Sequence, residues 1–338
     1  MSVERRAETE RLGTLVRTFE GRRVVVLGDL IADQFVSGEI SRVSREAPVM
    51  ILRHERTETV PGGAANCAMN LAALGARAGL VGVVGEDEAG RQLLERLTEA
   101  GVDCGGVLVT PKHRTTTKVR ILAGHAHSTR QQVVRLDYES EALADRVLLA
   151  LVASNVRRAF EDAEAAVVSD YNYGVASELT AAPLRHAGAG PPVVVDSRFR
   201  MRDFAGFDSA TPNEDEVEQV AGRRFSDTDE LAAEGERLRA ELGYSALLVT
   251  RGKHGMLLLE EGQGPLHLEA VGSHDAVDVT GAGDTVIATY ALALAAGADY
   301  ATAARLANHA GGVVVLKRGT ACVYPHELLA SLEHEGEG

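Results

Sequence analysis

The 338-residue sequence contains only three cysteines, and its basic residues are outnumbered by acidic ones. Cys67, Cys104 and Cys322 lie far apart and form no CxxC pair, so neither a zinc site nor a disulfide framework is expected. The 35 lysines and arginines against 49 aspartates and glutamates give a net charge of −14, which argues against general binding to nucleic acids or anionic membranes. An apolar N-terminal signal and an uninterrupted apolar stretch of bilayer length are also lacking, so we expect a cytoplasmic protein.

Short apolar runs that alternate with longer helical patterns indicate an α/β protein. The runs are apolar on both faces, which is typical of the strands of a parallel sheet covered by helices. These predicted strands span residues 23–29, 78–85, 165–170, 192–196 and 245–252. Helical patterns follow at 63–76 and 87–101. The sequence therefore predicts an open, mostly parallel sheet sandwiched by helices.

Residues 34–60 and 105–139 depart from this pattern, because they alternate apolar with polar residues and are rich in Val, Ile and Thr. Such segments are typical of antiparallel strands with one solvated face. We expect them to form a small β-lid on a single domain that covers residues 1–338. The exposed edges of such a small sheet predict a homodimer through the lid. His125 and His127, in the second segment, are expected to be solvated and not to bind a metal.

Several predicted strands end in a polar residue, among them Asp29, Asp170, Asp196 and Thr250. Turns favour aspartate, so one such residue would carry little information. Open α/β sheets, however, bind ligands just beyond the carboxyl ends of their strands. The recurrence of polar residues at these ends therefore predicts a cleft lined by them.

The segment DVTGAGDTVIATYALALAAG, residues 278–297, places two glycines directly before a long apolar helix. Gly281 and Gly283 permit a tight turn and the close approach of a ligand to the backbone. The first amides of a helix lack internal partners and attract anions, phosphate above all. Asp284 begins the helix predicted for residues 284–296, and it could simply cap that helix and complement its dipole. The pattern alone leaves both interpretations open.

Two further segments also have both a ligand-binding and a purely structural interpretation. In VPGGAANCAMNLAALG, the glycines Gly62 and Gly63 precede a helix of small residues that could serve only for tight packing; we favour ligand contact for both glycines and Asn66. Asn213 and Glu216 have the spacing of a capping box, although the pair could also hold a hydrated magnesium ion. For this pair the spacing favours the capping box.

Five motifs together carry a family resemblance: GDLIADQF, PGGAANCAMNLAALG, TPNEDE, VTRGKHG and DVTGAGDTVI. In order and spacing they resemble the PfkB/ribokinase family of sugar kinases over essentially the whole chain. SRVSREAPVMILR, VVRLDYE and VVSDYNYG are further similar to the kinase domain of the heptose 7-phosphate kinase/ADP-heptose synthase group. The nucleotidylyltransferase half of that group's bifunctional members is missing, so a stand-alone kinase is expected.

The resemblance implies a ribokinase-like fold and ATP-dependent phosphorylation, with Mg²⁺, of the C1 hydroxyl of a heptose 7-phosphate. A kinase for another sugar, such as fructose or ribose, and a non-catalytic nucleotide or sugar sensor are the alternatives. Asp284 would be the general base that takes the proton of the sugar hydroxyl, and retention of this residue argues against the sensor. The anion hole for the transferring phosphoryl group would be formed by the amides of Gly281, Ala282 and Gly283.

The same resemblance implies the residues that bind the two substrates. The sugar hydroxyls would be held by Asp29, Asp33, Gly62, Gly63 and Asn66. A phosphate already on the sugar would be bound by Arg120, Arg135 and Arg198. Mg²⁺ and the phosphates of ATP would be organised by Asn213 and Glu216, the metal through water, and the nucleotide would be bound by Thr250, Gly252, Gly255 and Asn308. In one departure from the group, Asp196-Ser197-Arg198 replaces Asp-Pro-Lys, which keeps the positive charge but changes its hydrogen-bonding pattern.

Overall fold

The computed structural model describes residues 3–124, 130–186, 190–272 and 276–337. Within these ranges the strands are β1 (Arg23–Gly28), β2 (Leu30–Val43), β3 (Met50–Gly63), β4 (Arg77–Gly85), β5 (Asp103–Thr110), β6 (Thr116–Gly124), β7 (Gln131–Tyr138), β8 (Ala165–Asp170), β9 (Val193–Ser197), β10 (Ser209–Ala210), β11 (Ala246–Thr250), β12 (Met256–Glu260) and β13 (Leu266–Leu268). The helices are α1 (Val3–Arg17), α2 (Ala64–Ala73), α3 (Glu88–Glu99), α4 (Arg146–Phe160), α5 (Glu178–Ala181), α6 (Glu214–Ala221), α7 (Thr228–Leu242), α8 (Ala282–Ala295), α9 (Tyr300–Val314) and α10 (Pro325–Glu337).

The larger sheet has the strand order β13-β12-β11-β10-β9-β8-β1-β4-β5. From β11 to β5 the neighbouring strands are parallel, whereas β12 and β13 complete the other edge in antiparallel pairing. Side chains alternate between the faces of each strand, so Val24 and Val26 of β1 pack on the side of α2 and α8, and Val25 and Leu27 pack on the side of α4 and α7. The predicted mostly parallel sheet sandwiched by helices is confirmed. Its strands are apolar on both faces because helices cover both faces of the sheet.

The smaller sheet has the order β3-β2-β6-β7. It corresponds to the predicted lid, with two differences. Residues 105–110 belong to β5, which pairs in parallel with β4 at the edge of the larger sheet; its alternation reflects that edge position, where Val109 is 54% exposed. The central pair β2–β6 is parallel, and three strands and two helices separate these strands in the chain, while β2–β3 and β6–β7 are antiparallel as predicted. His125 and His127 lie outside the described residues.

Helix α8 packs on the larger sheet beside α2 and α9, and all of its residues from Asp284 to Ala295 are buried. A helix that is apolar all round is expected in such a place. The helix begins at Ala282, two residues before the predicted start, because Gly281 adopts the left-handed conformation (φ 76°) at its N-cap. Gly297, with φ 89°, follows its end as predicted. No helix in the described ranges combines the length and apolar character that crossing a membrane requires.

Candidate active site

The Asp284 carboxylate in the first turn of α8 accepts a hydrogen bond on each of its oxygens. The Asn66 side-chain amide donates to Oδ2 at 2.8 Å, and the Tyr171 hydroxyl donates to Oδ1 at 3.0 Å. Burial raises the pKa of Asp284 from 3.8 to about 6, against the effect of these two hydrogen bonds, which favour the charged form. A carboxylate with this pKa is ionised at neutral pH and is still basic enough to accept a proton, as general-base catalysis requires.

Asn66 is held in its orientation by a buried polar network between α2 and α8. Nδ2 of Asn70 donates to the Asn66 side-chain oxygen at 3.3 Å and to the Asn66 carbonyl at 3.0 Å. The Thr285 hydroxyl donates to Oδ1 of Asn70 at 3.0 Å. With its own oxygen occupied by a donor, the Asn66 amide turns its NH₂ group toward Asp284. Asn70, which sequence reasoning did not place in the site, therefore orients a residue that contacts the predicted base.

Among the described residues, two amides in the first turn of α8 have no hydrogen-bond acceptor. The Ala282 amide donates to the Val279 carbonyl at 3.2 Å, and the first bond inside the helix runs from the Thr285 amide to the Gly281 carbonyl at 3.1 Å. The amides of Gly283 and Asp284 lie between these two bonds, at the positive end of the helix dipole. A Cβ atom on Gly283 would meet no atom within 4 Å outside its own turn, so the space beside this glycine is open. The geometry therefore favours Gly283 and Asp284, more than Ala282, as donors to an anion.

Gly62 and Gly63 on β3 lie so close to Asp33 and Asp29 that a side chain at either position would collide with them. A Cβ atom on Gly62 would lie 2.6 Å from Oδ2 of Asp33, and one on Gly63 would lie 2.8 Å from the Asp29 carbonyl oxygen. Gly63 also has φ 58°, which side-chain-bearing residues rarely adopt. Both glycines thus have a structural reason to be there, whether or not a ligand approaches them.

Asp29, which is predicted to bind the sugar, holds a loop in the structure. Its carboxylate accepts hydrogen bonds from the amides of Tyr171 (2.8 Å), Tyr173 (3.0 Å) and Val175 (3.0 Å). The side chain is buried, and this burial raises its pKa to about 6. The three amides occupy both carboxylate oxygens and fix the segment that follows β8. This use could not be read from the sequence, because the residues are more than 140 positions apart.

Basic side chains gather at the lid side of the cleft, where Asp33 also lies. Arg120 on β6 forms an ion pair with Asp33 on β2. The Arg198 guanidinium lies over the Tyr171 ring, 5.3 Å from its centroid, and burial together with the Arg198 charge lowers the pKa of Lys118. Arg135 is the cross-strand neighbour of Arg120, but it is half exposed and forms its own ion pair with Asp137 at 2.9 Å. Arg120 and Arg198 are therefore the better placed of the predicted phosphate-binding residues.

Asn213 and Glu216 form the capping box that their spacing predicts. The Glu216 amide donates to Oδ1 of Asn213, and the Asn213 amide donates to Oε2 of Glu216, both at 2.8 Å. Burial raises the pKa of Glu216 to about 7, and burial with the charges of Glu216 and Asp284 raises the pKa of Asp196 well above its ordinary value. These carboxylates would be stabilised by a cation.

The oxygen donors of this region suit a magnesium ion, which keeps several waters and takes few protein ligands. Within the described ranges, no three side chains of the His, Cys, Asp and Glu types cluster closely enough to hold a metal by themselves. The residues present therefore fit a metal held through water and through phosphate oxygens of a nucleotide, with Asn213 and Glu216 as the protein groups. They do not fit a metal enclosed by protein ligands alone.

An apolar cavity of about 200 Å³ adjoins the turn before α8. Its walls include all four residues predicted to bind a nucleotide, together with two residues of the predicted anion hole: Thr250, Gly252, Gly255, Asn308, Ala282 and Gly283. Gly255 has φ 78°, and a side chain there would collide with the Leu268 carbonyl, so the glycine is required for the β12–β13 edge to close this wall. The side-chain amide of Asn308 donates to the Glu269 carbonyl at 2.6 Å. The cavity is apolar and extends to the first turn of α8. A nucleotide base bound in it would therefore place the attached phosphates near the amides of this turn.

Sequence reasoning missed the role of the segment after β8. Tyr171 reaches Asp284, and Asp170 binds the Ser197 hydroxyl at 2.6 Å and forms an ion pair with Arg200. Asn172 has φ 67°, an uncommon conformation for a residue with a side chain. Asp170, at the end of β8 in VVSDYNYG, does indicate that this region lines the cleft. No sequence pattern predicts a role for Tyr171, which follows it.

Amides at a helix N-terminus, an adjacent carboxylate of raised pKa and an apolar cavity are features that phosphoryl transfer can use. A sequence model described as "pfkB family carbohydrate kinase" matches residues 22–327, and the chain belongs to this family. It is accordingly a sugar kinase, a class that binds a sugar and ATP.

Two curated relatives are both named "Bifunctional protein HldE". The protein from Pseudomonas paraeruginosa is 42% identical over 320 residues, which cover 94% of this chain and 65% of the relative. The protein from Caulobacter sp. (strain K31) is 44% identical over 337 residues, which cover 96% of this chain and 66% of the relative. The chain thus spans about two thirds of the length of these relatives.

Two solved structures share the fold. Arabidopsis thaliana ribokinase, complexed with ribose and ATP, superposes with a TM-score of 0.71 at 22% identity, over 93% of this chain and 99% of that one. Escherichia coli phosphofructokinase-2, in complex with substrates and products, gives a TM-score of 0.74 at 18% identity, again over 93% and 99%. These likenesses confirm the predicted ribokinase-like fold.

Proposed function

We propose that this sugar kinase transfers the γ-phosphoryl group of ATP to the C1 hydroxyl of D-glycero-D-manno-heptose 7-phosphate, giving the 1,7-bisphosphate. The resemblance of the sequence to the heptose 7-phosphate kinase group supports this choice of sugar. The observation that carries it is the placement of Arg120 and Arg198, with Lys118, beside Asp33 and Asp284. A substrate phosphate entering the cleft would be costly to desolvate without such cations.

In this proposal Asp284 accepts the proton of the C1 hydroxyl, whose oxygen attacks the γ-phosphorus. The amides of Gly283 and Asp284 stabilise the negative charge of the phosphoryl group during transfer. The sugar hydroxyls are held by Asp33, Gly62, Gly63 and Asn66. The apolar cavity that Asn308 lines binds the nucleotide base. Asn213 and Glu216 would hold Mg²⁺ through water. When bound, this ion neutralises phosphate charge.

We further propose that the chain acts as a single kinase domain in the cytoplasm and forms a homodimer through the lid sheet. On β7, Val134, Leu136 and Tyr138 alternate with polar residues and therefore lie on one face. Their exposed fractions are 46%, 46% and 39%. The opposite face of the same strands carries Arg120 and faces the site, so dimerisation through the apolar face would leave the cleft accessible.

The sugar is tested by measuring ADP release with ATP and a panel of free and phosphorylated sugars. We expect the highest kcat/KM with the seven-carbon 7-phosphate, a lower value with fructose 6-phosphate and a much lower one with ribose or fructose. A wild-type preference for an unphosphorylated sugar would reject the heptose 7-phosphate assignment and favour a kinase for a simple sugar. No ADP release with any sugar, while nucleotide binding persists, would favour a sensor.

A further inference from the structure

The Tyr171 hydroxyl is a buried polar group that the mechanism above does not use. It lies on the loop after β8, 113 positions away from Asp284 in the chain, and it donates to Oδ1 of Asp284 at 3.0 Å. Asn66 donates to the other oxygen at 2.8 Å. We propose that Tyr171 is a positioning residue for proton transfer, because its hydroxyl and Asn66 together fix both oxygens of the base against the sugar hydroxyl. This inference rests on the proposed role of Asp284.

The loop that carries Tyr171 is itself held rigidly. The Tyr171 amide donates to Asp29 at 2.8 Å, and two further amides of the loop donate to the same carboxylate. The Arg198 guanidinium covers one face of the Tyr171 ring at 5.3 Å from the centroid. Backbone and ring are thus restrained independently, so the hydroxyl is directed at Asp284 before any substrate binds. Such preorganisation is what a catalytic geometry requires of its supporting residues.

Tyr171 takes part without exchanging a proton. In the reaction the O–H bond of the sugar breaks and its proton passes to Asp284. The freed electron pair of the oxygen forms the new bond to the γ-phosphorus, and the bond from that phosphorus to the bridging oxygen breaks, so that ADP departs with its electrons. Burial raises the pKa of Tyr171 well above its ordinary value, so the phenol stays protonated and remains a donor. Each carboxylate oxygen can accept more than one hydrogen bond, so room remains for the sugar hydroxyl.

The hydrogen bond from Tyr171 favours the ionised form of Asp284, so its removal should move the pH dependence of kcat. Other groups act on this carboxylate from every neighbouring element and stay unchanged in the test: Asn66 and Cys67 on α2, Asp33 on β2, Asp196 on β9 and Arg198 after β9. Because Tyr171 stabilises the charged form, Tyr171→Phe should raise the pKa of the base and shift the acidic limb of the kcat profile upward by about one pH unit.

The experiment compares kcat from pH 5 to 9 in the wild type, Tyr171→Phe and a matched control. With the wild-type limb near pH 6, a shift of this size gives a loss at pH 6 about fivefold greater than at pH 8, with the KM for ATP unchanged. The control is Tyr290→Phe, which removes a buried hydroxyl from the same helix as Asp284, where it contacts Ser209 at 3.1 Å. Its acidic limb should coincide with that of the wild type. An unshifted limb in Tyr171→Phe overturns the inference.

Two further measurements keep the outcome interpretable. If Tyr171→Phe melts below the assay temperature, the wild type is produced with 3-fluorotyrosine, a more acidic phenol and a stronger donor. The acidic limb should then move to lower pH, and an unmoved limb again overturns the inference. Asp284→Asn separates this inference from the proposed function. Normal turnover in that variant refutes the base itself, whereas lost turnover with an unshifted Tyr171→Phe limb refutes only the role of Tyr171.

Discussion

Arg120 and Asp33, which the sequence assigns to different parts of the sugar substrate, form an ion pair with each other across β6 and β2. Their side chains are only 16% and 7% exposed, so removing either partner without a replacement would leave the other charge poorly solvated. A sugar hydroxyl that binds Asp33 and a phosphate that binds Arg120 would each replace part of this contact. A phosphorylated sugar can offer a hydroxyl to Asp33 and a phosphate to Arg120, so both side chains regain a partner. A simple sugar has no phosphate for Arg120.

Arg120→Ala should therefore separate the two kinds of substrate. We expect kcat/KM for the phosphorylated sugar to fall. The loss of transition-state stabilisation calculated from the ratio of the two values should be about 1.5–3 kcal/mol, the scale of a hydrogen bond to a charged group. The value for the unphosphorylated analogue should not fall, because Asp33 is released from its partner. Arg198→Ala should lower kcat/KM for both sugars, and more for the phosphorylated one, because Arg198 also contacts the ring of Tyr171 beside Asp284. Arg135→Ala should show a smaller selective loss, since Arg135 is half exposed and paired with Asp137.

The matched control for these variants is Arg53→Ala. Arg53 lies on the lid strand β3, is largely exposed and forms its ion pair with Glu39, away from Asp33. Its removal should leave both kcat/KM values unchanged. If Arg120→Ala lowers the values for both sugars equally, the pair serves the structure of the lid and not the recognition of phosphate.

Asp284→Asn should retain the fold and lose most of the activity. The substitution keeps the shape of the side chain but removes the base, and general bases contribute ~10²–10⁴-fold. Turnover and melting temperature are to be measured on the same preparation. Turnover close to that of the wild type, in a protein of normal melting temperature, would show that the reaction needs no base at this position.

Gly283→Val should abolish turnover by blocking the nucleotide. A Cβ atom on Gly283 would meet no protein atom within 4 Å outside its own turn, so we expect the fold to accommodate valine while its side chain fills space beside the helix N-terminus. Calorimetry should show a large loss of ATP affinity and a smaller change in sugar affinity. Gly264→Val is the control, because Gly264 also has free space around it yet lies in the β12–β13 turn, outside the cavity. Unchanged ATP affinity in Gly283→Val would contradict the anion-hole assignment.

Asp29→Ala should act mainly on stability. Three buried or half-buried amides lose their acceptor, and unsatisfied groups of this kind cost about 1–3 kcal/mol each, so we expect a loss of at least about 3 kcal/mol in the free energy of unfolding. Asp103→Ala, which removes an exposed carboxylate with one local amide partner, should cost much less. Wild-type stability combined with a raised KM for the sugar would restore Asp29 as a sugar-binding residue.

The lid dimer is tested by light scattering at micromolar concentration. We expect twice the chain mass of 35.8 kDa for the wild type and a single chain for Leu136→Glu, which places a charge on the exposed apolar face of β7. Gln131→Glu adds the same charge at a polar position of the same strand and should remain dimeric. A monomeric wild type would contradict the proposal.

The sequence predicts the larger sheet well because apolarity on both faces is a local property of each strand. It misassigns β5, since an edge strand with one solvated side has the alternation of a lid strand. Within the site, the glycine turn before Asp284 and the capping box of Asn213 and Glu216 are local patterns, and both are found in the structure. The contacts of Tyr171 and Asp29 join segments more than 100 residues apart, and no spacing in the chain encodes them.

The first turn of α8 contacts both substrate regions through consecutive residues. Ala282 and Gly283 line the nucleotide cavity, and the next residue is the proposed base on the sugar side. In the proposed reaction, the separation of phosphoryl donor and acceptor would therefore be set by the covalent geometry of three peptide units in a helix that is otherwise buried. The lid can change without altering this distance. A new sugar specificity could thus evolve through lid substitutions alone, while the reacting atoms stay aligned.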